Sequence, residues 1–169
     1  MWGMIVSYHG DASFKISQGD LTLAINPKSK TSADITLFSK KSDLPAEALA
    51  KAGFVIDGPG EYEIKEVFIK GFPDKTFLIT FEGIKLCLLG SGTNQELEDV
   101  DILFVPADAY KSAVPLEPAV MIPMDYDKNS LTQFLKEAGE TDVKPIDKFV
   151  VKKKDLEGKE SEIVVLKEE

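Results

Sequence analysis

The sequence predicts a β-rich α/β domain, of the α+β kind, in which a few helices lie against sheets. Three observations predict it. Short runs of apolar and β-branched residues recur along the whole chain, and most are bounded by Gly, Pro, Asp or Asn, as strands are. Only two segments carry a helical pattern. The runs DILFVP (101–106) and AVMIP (119–123) are apolar on both faces, which is how strands read when other layers cover both sides of a sheet.

In chain order the strand runs are MIVSY (4–8), ASFKIS (12–17), LTLAIN (21–26), ITLF (35–38), FVI (54–56), EVFIKGF (66–72), TFLITF (76–81) and IKLCLLG (84–90). DILFVP and AVMIP follow, then FVVKKK (149–154) and EIVVLK (162–167). Gly19-Asp20 and Glu82-Gly83 separate strand runs as hairpin turns do. Gly58-Pro59-Gly60 reads as a turn. A first helix is expected over about Pro45 to Ala52, with Asp43 placed to cap its first turn. A second is expected over about Leu131 to Ala138. Ser130 and Gln133 give it a capping-box pattern, Leu131, Phe134, Leu135 and Ala138 give it an apolar stripe, and Gly139 ends it. Between Pro106 and Pro118 only a short turn is expected. There is no internal repeat, low-complexity tract or linker, so residues 1–169 are expected to form one domain, long enough to bury a core.

Composition narrows the function classes. The net charge is −9, and all 20 basic residues are lysine. Arginine is the favoured reader of phosphates and guanines, because its planar fork bonds two acceptors at once. An acidic chain without it is not expected to bind nucleic acid or anionic membrane. The basic run at 152–154 is followed by DLEGKESE and reads as a solvated strand end. No apolar run is long enough for a membrane span, and MWGMIVSYHG lacks the basic lead and cleavage site of a secretory leader. The single cysteine, Cys87, lies in an apolar run and reads as a small core residue. A cytoplasmic protein is the resulting expectation.

Several phrases then line up in order: YHGDASFKI, LTLAINP, ADITLFSKKSD, IDGPGEYEIKEVFIKGF, IKLCLLGSG, VDILFVP and AVMIPMDYD. Together they resemble the metallo-β-lactamase fold, specifically the compact branch related to the lactonase that acts on ascorbate phosphate. The resemblance runs from about Met4 to Tyr126, and the closing strand pair fits it. It implies a four-layer αββα sandwich with a metal site at one edge between the sheets. It also implies a site built from His-x-His-x-Asp-His after a strand, a further histidine, a bridging aspartate and a last histidine. Neutral imidazole and carboxylate suit zinc, whose bound water is the nucleophile.

FSKKSDL (38–44) occupies the place of the first metal motif. In one register the paired histidine places fall on Ser39 and Lys41, the aspartate on Asp43 and the closing histidine on Leu44. In the other they fall on Lys40, Ser42, Leu44 and Pro45. Neither leaves a histidine. An ammonium cannot ligate, and its charge repels a dication. The downstream histidine is missing near GFPDKT (71–76), the bridging aspartate reads Gly90-Ser91, and the last histidine reads Asp125 in PMDY. The only histidine, His9, falls outside the family's ligand places, and the polar residue carried over in its phrase is Asp11.

The residual pocket is therefore expected from Asp11, Ser39, Lys41, Asp43, Ser91 and Asp125, with no catalytic residue and no metal ligand among them. Lys40 and Lys41 are expected to make its FSKKSD side cationic and to hold the loop through Asp43 or Asp125. Asp43 serves equally as a helix cap, His9 lacks an acid or nucleophile partner, and Ser13, His9 and Asp11 lie too close in sequence to build a triad. The expected protein is a metal-free relative of hydrolases that binds an unidentified small molecule or protein, or assembles with its own copies. The alternative is a hydrolase in which Asp11, Asp43, Asp57 or Asp125 converge on a hard cation such as Mg²⁺ or Mn²⁺.

Overall fold

The computed structural model describes residues 3–91 and 97–169. Its strands are β1 (Met4–Tyr8), β2 (Phe14–Gln18), β3 (Leu21–Ile25), β4 (Ile35–Leu37), β5 (Phe54–Ile56), β6 (Gly60–Ile64), β7 (Val67–Gly71), β8 (Phe77–Phe81), β9 (Ile84–Leu88), β10 (Ile102–Pro106) and β11 (Val120–Met124). Helix α1 (Tyr110–Ala113) precedes β11, and α2 (Lys128–Glu137) follows it. The chain closes with β12 (Phe149–Val151) and β13 (Glu162–Ile163).

The strands form two sheets. The six-stranded sheet has the order β12-β1-β2-β3-β4-β5, and the seven-stranded sheet has the order β13-β11-β10-β9-β8-β7-β6. In the first, β1 to β3 are antiparallel neighbours, whereas β3, β4 and β5 run parallel. In the second, β6 to β9 form an antiparallel meander, and β9, β10, β11 and β13 run parallel. Parallel neighbours end on the same side, so the loops after them gather at one edge.

One core fills the space between the sheets. Ile16, Leu23, Ile25 and Leu37 of the first meet Ile69, Ile79, Leu86 and Ile122 of the second, and the Phe14 and Phe104 rings lie 4.6 Å apart. A second core lies on the outer side of the seven-stranded sheet. There Cys87, Leu103, Val105 and Met121 are covered by Phe134 of α2, with Tyr110 edge-on to Phe134 at 5.3 Å. The sequence reading of β10 and β11 as buried on both faces holds for this reason. Burial pushes the Cys87 thiol up to about 12, so it is a packed hydrophobe.

The helices depart from the sequence expectation in three places. The segment read as a helix over 45–52 is a single 3₁₀ turn, Ala46–Leu49, and Asp43 does not cap it. Its carbonyls serve a neighbouring loop instead: Ala48 and Lys51 accept from the peptide N–H groups of Thr31 and Ala33. The second helix starts three residues earlier than its capping pattern suggested. Asp127 is the cap and accepts from the Ser130 N–H at 2.8 Å, while the Ser130 hydroxyl accepts from the Asp127 N–H at 2.9 Å. The segment 106–118 holds α1 and a 3₁₀ turn, Val114–Leu116, and not merely a turn.

β6 has no counterpart among the strand runs. Gly60 opens it, and it returns through Lys65-Glu66, both with positive φ, in a two-residue hairpin. Asn and Gly, the usual markers of such a turn, are absent there. The Glu82-Gly83 hairpin, by contrast, forms where its glycine signalled it.

Candidate functional site

The loops after β4, β9, β10 and β11 surround a cleft of about 460 Å³ at one edge of the sandwich. Its floor is apolar, with Leu89, Pro106, Ala109 and Met124, and its rim carries Lys40, Asp74, Asp108 and Asp125. Gly90 is required at this rim. A Cβ there would stand 2.2 Å from the Asp74 carbonyl oxygen, so only glycine lets the end of β9 pass beneath the 72–76 turn. That turn is fixed by Asp74, whose carboxylate accepts from the Thr76 N–H and hydroxyl, each at 3.0 Å.

Asn26, at the end of β3, sets the loop after β4. Its amide donates to the Ser39 hydroxyl at 2.9 Å and to the Ala12 carbonyl at 3.1 Å. Its side-chain oxygen accepts from the Ser39 and Lys40 N–H groups at 3.0 and 3.3 Å. Asp125 is anchored from the other sheet. Its N–H donates to the Asp11 carbonyl at 2.8 Å, and the Tyr8 hydroxyl donates to that same oxygen at 2.7 Å. Burial, reinforced by Tyr126, Asp125, Asp11 and Glu168, pushes the Tyr8 pKa far up, so the phenol stays a donor. Between these two anchored loops, the Lys40 ammonium donates to the Asp125 carboxylate at 2.6 Å.

The six residues expected to line the pocket are split between two depressions. Ser39, Ser91 and Asp125 line the cleft. Asp11, Lys41 and Asp43 line an adjoining groove of about 540 Å³. Lys40 lines both and forms the partition. The expected ion pair is present through Lys40 and Asp125. Lys41 stays exposed, and the Asp11 carboxylate pairs with Lys28 at 3.0 Å. Asn26, Asp74 and Asp108 were not singled out in the sequence. Asn26 ends the quoted run LTLAIN, but its loop-holding role depends on a contact 13 residues downstream.

The family model described as a beta-lactamase superfamily domain matches residues 5–125. The chain belongs to the beta-lactamase superfamily. No curated protein matches its sequence. Among solved structures it is similar to a candidate Zn-dependent hydrolase of the metallo-β-lactamase superfamily from Thermotoga maritima, at 25% identity and a TM-score of 0.76 over 96% of this chain and 98% of that one. It is also similar to a candidate metal-dependent hydrolase from Parabacteroides distasonis, at 15% identity and a TM-score of 0.60, with 97% and 94% of the two chains covered. The metallo-β-lactamase fold protein YhfI from Bacillus subtilis shares 11% identity at a TM-score of 0.59, with 99% and 98% covered. The last two likenesses show the fold alone.

The superfamily's metal does not fit the residues present. Among the described residues, no group of three or more His, Cys, Asp or Glu side chains is placed to hold an ion. The loop expected to supply imidazoles supplies the Lys40 ammonium, which already occupies the carboxylate of Asp125. Asp11, Asp43 and Asp57 do not join Asp125 in lining the cleft. A dication there would face a fixed positive charge with one carboxylate already paired.

Proposed function

We propose that this chain is a metal-free, non-catalytic member of the beta-lactamase superfamily whose role is binding, assembly or regulation in the cytoplasm. The observation that supports it is the Lys40–Asp125 pair across the strand-end cleft. The pair is a weak, solvent-screened link between a loop of one sheet and a loop of the other. It does no metal chemistry, because an ammonium gives water no route to a low pKa. The fold alone brings no activity with it. The cleft retains an apolar floor and a rim of mixed charge, which suits a small polar molecule or a protein side chain. Among the described residues no helix is long and apolar enough to cross a membrane.

The test combines two measurements on protein purified without chelator. Mass spectrometry of bound metals is expected to find zinc, manganese and magnesium far below one ion per chain. Assays with lactones, β-lactams and phosphodiesters are expected to show no turnover above background. Near-unit metal that survives dialysis, with turnover lost in Asp125→Ala, would establish the alternative of a metal-dependent hydrolase with unusual ligands.

A further inference from the structure

Among the described residues both α-helices pack on the seven-stranded sheet, so the outer α layer that the four-layer expectation gave the six-stranded sheet is not α-helical. The 3₁₀ turn Ala46–Leu49 and the loop between β3 and β4 lie there instead. Residues Pro27 to Ser32 of that loop form one wall of a depression of about 340 Å³. Its floor is made by Lys15 of β2 with Thr22 and Ala24 of β3. Lys15 and Ala24 are register partners, so the small alanine leaves open space beside the lysine stem.

The lining has one sign. Its charged side chains are Lys15, Lys28 and Lys30, and the rest of its polar surface is His9 together with Ser and Thr hydroxyls. Three carboxylates outside the lining contact members of it, so Lys28 is already paired and the lysines left for a ligand are Lys15 and Lys30. Asp11 holds Lys28 at 3.0 Å, Glu169 lies 3.9 Å from His9, and Asp34 accepts from the Thr22 N–H and from Lys65. Lys15 and Lys30 have no carboxylate partner among the described residues. We propose that this depression is a binding site for a small polyvalent oxyanion, either a phosphorylated compound or a polycarboxylate.

Three physical arguments carry the assignment. Lys15 and Lys30, the two lining lysines without a carboxylate partner, give the depression a local positive field that attracts anions even on a chain of net charge −9. Lysine ammonium groups bind phosphate and carboxylate as point charges, and the surrounding hydroxyls donate to the remaining oxygens. The volume of about 340 Å³ suits a small molecule. The site shares no lining residue with the strand-end cleft, so it stands or falls independently of the function proposed for that cleft.

The experiment is isothermal titration of the full chain at low ionic strength with sodium pyrophosphate and, separately, with sodium citrate. One-site binding of at least one anion is expected. Lys15→Ala/Lys30→Ala should weaken it about tenfold or more, since both charge-assisted contacts are lost while both residues are exposed and the fold is undisturbed. Lys136→Ala/Lys144→Ala removes the same charge elsewhere and should leave affinity within about twofold. Preference for pyrophosphate assigns a phosphorylated ligand, and preference for citrate a polycarboxylate. Binding of neither, or an equal loss in the two double variants, overturns the proposal.

Discussion

Lys40 Nζ stands 2.6 Å from Asp125 Oδ2 and joins two loops that lie 85 residues apart in the chain. The Lys40 side chain is 54% exposed and that of Asp125 is 24% exposed. Water therefore screens the pair, and its coupling is expected to be about 0–1 kcal/mol. A double-mutant cycle with Lys40→Met and Asp125→Asn, read by urea denaturation, measures it. The coupling should shrink in 1 M salt, where the screening length falls to about 3 Å. A coupling above about 3 kcal/mol, insensitive to salt, would place the pair in the class of buried ion pairs instead.

Helix α2 should show a steep gradient of sensitivity. The sequence stripe placed Leu135 in the core, but Leu135 is only half-buried, and Phe134 is the side chain with no exposure. Phe134→Ala should cost about 3–5 kcal/mol by opening a cavity under the helix. Leu135→Ala should cost about 1–2 kcal/mol, the transfer term of partly buried methylenes. Lys41→Ala, at an exposed site, should stay within about 0.5 kcal/mol. Chemical denaturation of the three variants checks the order Phe134, Leu135, Lys41.

The Lys65-Glu66 turn offers a stabilising change. Glu66 has φ +66°, a conformation that costs a side chain about 1–2 kcal/mol relative to glycine. Glu66→Gly should therefore raise stability by about 0.5–1 kcal/mol, the remainder being spent on the greater freedom of unfolded glycine. A lowered melting temperature would show that the Glu66 side chain makes a contribution the backbone does not explain.

Asp34 predicts an acid-sensitive link between the sheets. Its carboxylate accepts from the Lys65 ammonium at 2.6 Å and from the Thr22 N–H at 2.8 Å, and these bonds, Lys65 first, lower its pKa from 3.8. A depressed carboxylate pKa contributes stability that is present above the unfolded value and lost as pH falls through the folded one. Water screens the Lys65 pair as it does Lys40–Asp125, so Asp34→Asn should cost only about 0.5–1.5 kcal/mol at neutral pH. The gap from the parent should narrow below about pH 4. Denaturation midpoints of both proteins across pH 3–7 check the sign, and a gap that widens on acidification contradicts it.

Strand positions were legible because the apolar runs are short and punctuated. β6 was not, because its alternating Glu-Tyr-Glu-Ile lies at a sheet edge and its hairpin uses Lys and Glu where Asn and Gly would have signalled it. The 45–52 segment carries good helix formers, yet its carbonyls are claimed by Thr31 and Ala33 in another loop, a competition that local propensity does not register. At the site, the loss of histidines from FSKKSDL could be read directly. Which lysine met which carboxylate could not be read.

The sequence by itself determined the superfamily, the two-sheet architecture and the missing imidazoles, because these depend on the order and kind of residues along the chain. The tertiary structure decided the rest. It chose Lys40 over Lys41 as the partner of Asp125, divided the expected pocket residues between a cleft and a groove, and set Lys15 and Lys30 around Ala24 on the outer sheet face. Each of those outcomes depends on contacts between distant segments, whose distances are fixed by sheet register and loop anchoring and not by spacing in the sequence.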